Sequence, residues 1–506
     1  MSSRKIDTIV IGSGISGLTV AGLLAKNGRR VVIVERNRKP GGALRRFTRD
    51  GIPFDIGFHY TGGLGRGQIL DVLWRYLGVR PEITPVPMHP DGYDYFRFRA
   101  SGTEVRAYYS YERAGEQMCA VFPDEAAGIA RYLGTIKNIC GKIPFYDLDL
   151  PLSPFLRDFF SSQDRPLPEA IASMVKNPEL QAVLAAPAFL YGVPPAKAGL
   201  TMHAAVAHSY YQGAWGIRGG GQAVVDGFLK TLTGHGVEIL TGQGVEKIEV
   251  GNGCINGVTL ADRRRIPAGQ VIYTGHPAHL PDLVTPGSFR PAFTHRIKGL
   301  EDTISMFTVF GRMNRPAALP ALDRANLYCI NRGFDLMADP AAVGNGSVLL
   351  TAPGRRDLNA FDDDRRSGDG VILMRPANWS ETARFSRENS RTRGAGYREW
   401  KTAATKNLIE RAAAGFGEGC LGIEPLAAGS PLTFRDELGS PAGGIYGVQH
   451  NLQQFVARAR TKVQGLYLSG QGSLMTGLLG ASMAGLVTAG EIMGLEETWD
   501  KVRKWQ

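Results

Sequence analysis

The segment that most restricts the fold of this chain is residues 8–35, TIVIGSGISGLTVAGLLAKNGRRVVIVE. Its first apolar run, residues 8–11, is typical of a parallel strand that is buried on both faces. Three glycines at GxGxxG spacing follow at once: Gly12, Gly14 and Gly17. A helical pattern then ends at the C-cap glycine Gly28, and a second apolar strand ends in Glu35. The segment therefore predicts a β–α–β unit in an α/β domain with a parallel sheet.

Each part of this β–α–β unit suits a nucleotide. Gly12 allows the tight turn, Gly14 lets the backbone approach a pyrophosphate, and Gly17 lets the helix pack close to the strand. The helix N-terminus faces the phosphates. The Glu35 carboxylate can accept hydrogen bonds from ribose hydroxyls but would repel a 2′-phosphate, so we expect an unphosphorylated adenosine. The predicted cofactor contacts in this segment are Gly12, Gly14, Ile15, Ser16, Gly17, Glu35 and Arg36.

A second glycine pair favours FAD over NAD as this nucleotide. Residues 36–60, RNRKPGGALRRFTRDGIPFDIGFHY, carry Gly41 and Gly42, followed by Arg45 and Arg46. An NAD-binding domain rarely needs a second glycine loop at this point to approach a phosphate. FAD is longer, and the protein must also contact it along its ribityl chain. No residue indicates covalent attachment of a flavin, so we expect the FAD to be bound non-covalently.

Several blocks of the chain resemble the phytoene desaturase, carotenoid isomerase and retinol saturase group of FAD oxidoreductases, within the amine-oxidase-like superfamily. They are residues 10–18, Glu35 with 40–42, 54–63 (FDIGFHYTGG), 216–226 (GIRGGGQAVVD), 443–451 (GGIYGVQHN) and 465–485. The motifs FDxGxHY, YGxxHN and LYLSGQ are most similar to retinol saturase and its relatives. Residues 80–200 and 310–430 show little resemblance.

The resemblance implies a Rossmann-type FAD-binding domain assembled from discontinuous segments, with an α+β substrate-binding or lid domain. We expect the first at residues 1–80, 216–296 and 430–506, and the second at 81–215 and 297–429. The further implied cofactor contacts are Gly41, Gly42, Val245, Gly470, Gln471, Gly477 and Leu478. Retinol-saturase-like sequences usually carry an acid directly after the GQ pair, whereas Gly472 follows Gln471 here. Gln471 would therefore hold the ribityl chain by neutral hydrogen bonds.

Residues 465–485, GLYLSGQGSLMTGLLGASMAG, are either most of a membrane span or one wall of the cofactor site. A span needs about 20 apolar residues, and Glu491 interrupts this run. We therefore predict a buried strand at 466–468, a turn, and a helix that opens at 475–477. Its N-terminus would stabilise the negative charge of a reduced flavin.

Composition limits the location and partners of the chain. The 506 residues carry 58 Lys and Arg against 47 Asp and Glu, a net charge of +11. The five cysteines form no CxxC pair and no metal-ligand spacing, which suits a reducing compartment and indicates no metal. With no stacking platform or basic arm, we expect no nucleic acid partner. With no signal peptide or transmembrane span, we expect a cytoplasmic protein that is at most peripheral on a membrane.

Two further segments, residues 152–160 and 355–369, could lie either in the core or at the surface of the protein. Residues 152–160, LSPFLRDFF, place their apolar side chains on one helical face, with Ser153 and Pro154 as cap and first residue. A core-packing helix is favoured, and a lip that dips into a bilayer is the alternative. The charged run at 355–369 is predicted to be a solvated loop.

The resemblance predicts an FAD-dependent oxidoreductase that acts on carbon–carbon bonds of a lipophilic polyene or isoprenoid. Saturation is favoured over desaturation or isomerisation, and it needs a proton as well as a hydride. The predicted catalytic residues are His59, Tyr60 and Tyr446, with His450 as a further candidate donor. His203, His208, Tyr210, Tyr211 and Trp215 either line the substrate tunnel or belong to the core.

Two rival classes share this fold. One is an amine or porphyrinogen oxidase, against which stands GQ rather than an aromatic-flanked acid in the closing motif. The other is a non-catalytic prenyl-protein escort, against which stands the intact nucleotide signature. The electron partner stays open.

Overall fold

The first sheet of the computed structural model has the predicted parallel core. The structure describes residues 6–159, 164–313, 322, 324–337, 346–357, 369–388 and 392–506. The strands of this sheet are β1 Ile6–Ile11, β2 Val31–Glu35, β9 Glu238–Thr241, β10 Val245–Gly251, β11 Cys254–Leu260, β12 Arg265–Tyr273 and β18 Leu466–Leu468. Their order is β10-β11-β12-β1-β2-β9, with β18 also paired to β12. The pairs of β1 with β12 and β2, of β2 with β9, and of β12 with β18 are parallel, which confirms the α/β fold class.

A second seven-stranded sheet is mostly antiparallel. Its strands are β6 Asp94–Arg97, β7 Glu104–Ala107, β13 Ser305–Met313, β14 Asn326–Cys329, β15 Val348–Thr351, β16 Gly370–Ala377 and β17 Ile423–Gly429. They lie in the order β17-β13-β16-β15-β14-β6-β7, and only the neighbours β14 and β6 are parallel. The two-stranded sheets pair β3 Arg46–Arg49 with β4 Ile52–Asp55, and β5 Pro85–Pro87 with β8 Trp215–Ile217.

Helices surround these sheets. They are α1 Ile15–Lys26, α2 Ile69–Leu77, α3 Tyr111–Val121, α4 Ala126–Cys140, α5 Leu152–Phe159, α6 Leu167–Ala172, α7 Pro178–Ala185, α8 Leu200–Tyr211, α9 Gly220–Gly234, α10 Leu280–Leu283, α11 Pro291–Lys298, α12 Ala395–Phe416, α13 Pro431–Leu438, α14 Gly477–Met493 and α15 Leu495–Arg503. Within the described ranges, no helix combines the length and hydropathy that a bilayer crossing requires.

The small residues of α14 allow it to pack closely on α1. A Cβ atom on Gly485 would lie 2.8 Å from the carbonyl oxygen of Ser16. The Ser16 hydroxyl is 2.7 Å from the hydroxyl of Ser469, directly after β18. Residues 465–485 thus form the predicted strand, turn and helix, and Gly485 allows the close packing of α14 on α1.

Helix α5 packs its apolar side chains inward. Leu152 and Leu156 are buried, and the Phe155 ring lies 5.5 Å from the Phe145 ring, edge to face. This favours the core-packing interpretation, although Phe160 lies outside the described residues. The predicted cap is wrong, because the helix begins at Leu152 rather than after Ser153. The Glu496 carboxylate accepts from the amides of Leu152 and Ser153, at 3.3 and 2.6 Å.

This contact gives a stability prediction. Replacing Glu496 with alanine removes the acceptor for two helix N-terminal amides, so we expect the free energy of unfolding to fall by about 1 kcal/mol. The matched control is Glu497→Ala, which removes only an exposed ion pair with Lys501 and should cost a few tenths of a kcal/mol. Urea denaturation monitored by circular dichroism measures both. Equal effects of the two variants would contradict the capping role.

The predicted solvated loop at 355–369 is wrong at its beginning. Arg356 is buried, and its guanidinium donates to the carbonyl of His59 and, at 3.0 Å, to the side-chain oxygen of Asn326. Asp357 accepts from Arg46 at 2.6 Å. Residues 358–368 lie outside the described ranges.

Candidate active site

The first glycine loop connects β1 to α1. A Cβ atom on Gly12, whose φ is +104°, would lie 2.3 Å from Thr274 Oγ1, and one on Gly17 would lie 2.2 Å from the Gly12 carbonyl oxygen. A Cβ atom on Gly14 would meet nothing within 4 Å. Gly12 and Gly17 are therefore required by packing, whereas Gly14 leaves open space into which its backbone faces.

The second glycine pair lies against the first loop. A Cβ atom on Gly42 would lie 3.2 Å from Gly14 Cα, and the Gly41 amide donates to Ser13 Oγ at 3.0 Å. The Glu35 carboxylate accepts from the amide and hydroxyl of Ser13 at 3.0 and 2.7 Å, and from the Asn37 amide at 2.8 Å. The two glycine segments, far apart in sequence, thus form one surface beside an acidic residue.

The opposite wall comes from the end of the chain. Gly470, with φ +105°, turns the chain after β18, and α14 begins at Gly477. The Thr476 hydroxyl just before α14 is buried and has no hydrogen-bond partner among the described residues. The two glycine segments and this helix N-terminus line a cavity of about 250 Å³.

These residues fit a bound flavin nucleotide. The open space at Gly14 admits the backbone approach that a pyrophosphate requires. The helix N-termini of α1 and α14 and the unpartnered hydroxyl of Thr476 supply donors for an anionic, oxygen-rich group.

The predicted cofactor residues divide into two groups. Those that line the cavity are Gly14, Ile15, Ser16, Gly41, Gly470, Gln471, Gly477 and Leu478. Those outside its lining are Gly12, Gly17, Glu35, Arg36, Gly42 and Val245. Arg36 is exposed and donates to the carbonyl of Asp436, and Val245 pairs with Leu260 in the sheet. The neighbouring Arg45 and Arg46 form ion pairs with carboxylates of the chain: Glu437 for the first, and Asp55 and Asp357 for the second.

The three predicted catalytic residues, His59, Tyr60 and Tyr446, all line the cavity. Burial and the charge of Arg356 lower the pKa of His59 to about 3, so its imidazole is neutral at physiological pH. The His59 Nδ1 atom is buried and has no hydrogen-bond partner among the described residues. Burial raises the pKa of Tyr446 above its usual range.

The Tyr60 hydroxyl is held by two hydrogen-bond partners. Its hydroxyl lies 2.6 Å from Asp94 Oδ2 and 3.1 Å from the hydroxyl of Tyr328. Burial, followed by the charge of Asp94, raises the pKa of Tyr60 well above its usual range. Asp94 and Tyr328 were missed by the sequence analysis, because they lie on β6 and β14, in segments without a recognised motif.

Of the remaining histidine, tyrosine and tryptophan candidates, only some line the cavity. His450 donates from Nε2 to the Gln471 carbonyl and lies outside the cavity lining. His203 is fully buried between the hydroxyls of Tyr132 and Tyr191, at 3.0 Å each, and is therefore a core histidine. Three further candidates also lie outside the cavity lining: His208, Tyr211 and Trp215. Tyr210 lines the cavity.

Comparison with known proteins assigns the family. The chain matches the flavin containing amine oxidoreductase family over residues 15–388. It belongs to this family. A flavin is therefore its cofactor, and the resemblance inferred from the motifs is confirmed.

Two relatives are similar to this chain over half of its length or more. It is 26% identical to an all-trans-retinol 13,14-reductase of Macaca fascicularis, over 97% of this chain and 86% of that protein. It is 28% identical to a chloroplastic prolycopene isomerase of Daucus carota, over 53% of this chain and 46% of that protein. Among solved structures, an oxidoreductase from Methanosarcina mazei superposes with a TM-score of 0.67 and 16% identity, over 96% of this chain and 99% of that one. The superposition supports the fold.

Proposed function

We propose that this chain is an FAD-dependent oxidoreductase that acts on a carbon–carbon bond of a lipophilic polyene or isoprenoid, with saturation favoured over desaturation or isomerisation. The observation that carries the proposal is the lining of the cavity. Among the described residues, no Asp, Glu, Lys or Arg side chain lines it. Its wall beyond the glycine segments is mostly apolar and aromatic, with members such as Phe189, Leu190, Met306 and Leu349. A neutral, lipophilic substrate suits such a wall.

The same lining argues against an amine substrate. An ammonium group taken into this wall would lose its hydration without gaining a carboxylate partner. Aromatic faces alone offer it a weaker cation–π attraction. The name of the Macaca fascicularis relative, a retinol 13,14-reductase, supports saturation of an alkene.

We propose that the flavin is FAD, bound without a covalent bond. Gly14 and Gly41 would approach its pyrophosphate, Glu35 would accept from a ribose hydroxyl, and the N-terminus of α14 would face the flavin ring. The bound flavin supplies hydride transfer to or from carbon. The proposed division is a cofactor domain of residues 1–80, 216–296 and 430–506, and a substrate domain of 81–215 and 297–429. Contact with a membrane surface stays a prediction.

The chain itself would supply the proton. We assign this role to Tyr60, which lines the cavity and whose hydroxyl is hydrogen-bonded to Asp94 and Tyr328. Neutral His59 would hold the substrate or cofactor by a hydrogen bond rather than donate as an imidazolium. Tyr446 would close the wall from the segment before β18.

Isotope labelling tests the reaction. Chemically reduced protein is incubated without oxygen in deuterated water with a panel of polyenes, and the products are analysed by mass spectrometry. We expect loss of one double bond and two carbon-bound solvent deuterons in the product, because the donor hydroxyl and the N5–H group of the reduced flavin both exchange with deuterated water. Insertion of double bonds by oxidised protein, with none removed by reduced protein, would replace saturation by desaturation. Oxidation of an amine with release of peroxide would overturn the substrate class.

A further inference from the structure

A buried carboxyl group lies directly behind the proposed proton donor. Asp94, the first residue of β6, is 4% exposed and accepts from Tyr60 at 2.6 Å through Oδ2. Its other oxygen, Oδ1, accepts from the Asn326 amide at 2.7 Å. Asp94 is absent from the lining of the main cavity, whereas Tyr60 is part of it. The tyrosine therefore separates the carboxyl group from the proposed substrate.

The orientation of Asn326 is fixed by its own partners. Its side-chain oxygen accepts from Thr351 Oγ1 at 2.7 Å and from the Arg356 guanidinium at 3.0 Å. Since both groups can donate to it, the amide nitrogen of Asn326 must face Asp94. One oxygen of Asp94 is thus engaged permanently, and the other is left for Tyr60.

Asp94 also borders a second, smaller cavity on its other side. This cavity has a volume of about 40 Å³, and its wall includes Asp94 and the exposed Arg106. A cavity needs roughly 10–15 Å³ to hold one water molecule, so this space can hold at least one. Tyr210 and Tyr328 belong to the walls of both cavities. The second cavity is lined mainly by apolar and aromatic side chains, with Asp94 and Arg106 as its charged members. Asp94 therefore links the Tyr60 hydroxyl to a small space with room for a water molecule.

Burial allows Asp94 to exist in both protonation states near neutrality. Burial raises its pKa to about 7, against the opposing effects of the hydrogen bonds from Asn326 and Tyr60 and the charge of Arg356. The titratable and charged groups that face it are Tyr60, Tyr93, Tyr210, Tyr328 and Arg356. Burial raises the pKa of all four tyrosines, so Asp94 is the acid of this cluster that titrates near neutrality.

The protonation state of Asp94 sets the direction of the Tyr60 proton. When Asp94 is ionised, it can only accept, and the Tyr60 proton points at it and away from the cavity. When Asp94 is protonated, it can donate to the Tyr60 oxygen, and the Tyr60 proton is free to point at the Tyr328 hydroxyl, 3.1 Å away, or into the cavity. A separation of 2.6 Å between the two oxygens fits either arrangement.

We propose that Asp94 is a proton-relay residue, which orients the Tyr60 hydroxyl towards the substrate and returns a proton to Tyr60 after each transfer. The inference rests on the proposed function. In the step, the reduced flavin is the reductant, and one alkene carbon gains a hydride with its electron pair. The other carbon gains the Tyr60 proton, so the π bond is lost and two C–H bonds form. The Tyr60 phenolate then takes the Asp94 proton. The Asp94 carboxylate is reprotonated from bulk solvent through water in the second cavity, so the net reaction consumes one solvent proton and leaves no hydroxide behind.

The test compares Asp94→Asn with the wild-type protein, both loaded with flavin and reduced. In the wild type, we expect polyene-dependent reoxidation to fall as the pH rises through about 7, because Asp94 then loses its proton. In Asp94→Asn, this pH dependence should vanish, and repeated turnover below that pH should be slower by about tenfold or more. Flavin content should be unchanged. The matched control is Asp71→Asn, which alters an equally buried carboxyl that pairs with Arg75 and Arg80 and lines neither cavity.

A second measurement needs neither turnover nor a folded variant. An infrared titration of the flavin-loaded wild-type protein between about pH 6 and pH 8, on either side of the Asp94 pKa, should show loss of a protonated carboxyl band. Absence of such a band, or a wild-type pH profile in Asp94→Asn, would overturn the relay. If the wild type saturates no polyene, the proposed function fails and the relay falls with it, whereas the infrared titration still shows whether the buried carboxyl titrates near neutrality.

Discussion

Replacing Tyr60 with phenylalanine is expected to slow polyene saturation by roughly 10²- to 10⁴-fold, the usual contribution of a positioned general acid. The ring fills the same space, and only the hydroxyl that lies 2.6 Å from Asp94 is lost. Rapid mixing of reduced, flavin-loaded protein with substrate, followed by the return of oxidised-flavin absorption, measures the rate. Substrate affinity should change little, because the cavity keeps its shape.

The matched control is Tyr210→Phe. The Tyr210 ring lies 5.1 Å from the Tyr60 ring and lines the same cavity, so the variant deletes a neighbouring hydroxyl. It leaves the hydrogen bond between Tyr60 and Asp94 intact, and we expect a much smaller loss of rate. Equal losses in the two variants would indicate a general effect of wall polarity rather than proton donation. A wild-type rate in Tyr60→Phe would move the donor elsewhere, to Tyr446 or to water.

Replacing Glu35 with arginine is expected to abolish flavin retention. Glu35 is 5% exposed and accepts three hydrogen bonds, two of them from Ser13. Arginine would remove these acceptors and bury an unpaired cation at the base of the first glycine loop. It would also remove the acceptor proposed for a ribose hydroxyl. The visible absorption of the purified protein, relative to its protein absorption, measures the bound flavin.

Glu35→Gln is the milder companion of this variant. It keeps the shape and one acceptor oxygen but loses the charge, so we expect intermediate affinity in a titration of flavin-free protein with FAD. Circular dichroism reports whether each variant is folded. Full flavin content in a folded Glu35→Arg protein would show that Glu35 does not contact the nucleotide. If that variant does not fold, the affinity of Glu35→Gln decides the same question.

Residue type alone does not distinguish a histidine that lines the cavity from a histidine of the core. His59 and His203 are both histidines beside tyrosines in the sequence or in space. Only the structure shows that His59 lines the cavity with an unpartnered nitrogen, whereas His203 is enclosed by two tyrosine hydroxyls. Burial dominates the lowered pKa of both, to about 3 and about 4, and burial depends on the whole fold rather than on the neighbouring residues.

The density of charged residues along the chain also did not predict which side chains are exposed. The run at 355–369 is rich in charged residues, which predicted a solvated loop. Its first residues instead pair with groups far away in sequence: Asp357 with Arg46, and Arg356 with Asn326. A buried charge is tolerated when it is paired and hydrogen-bonded, and sequence composition does not reveal a partner of that kind.

The amino-acid sequence by itself determined the β–α–β unit, the two glycine segments and the strand and helix after residue 465. These are local patterns: side-chain periodicity defines strand and helix, and a glycine is needed where a turn or close backbone approach admits no Cβ. Only the tertiary structure decided what lies behind Tyr60. Asp94 and Asn326 are 232 residues apart, and they meet because β6 and β14 are neighbouring parallel strands. Hydrogen bonds between residues so distant in sequence depend on which strands pair, and strand pairing is set by the packing of the whole sheet.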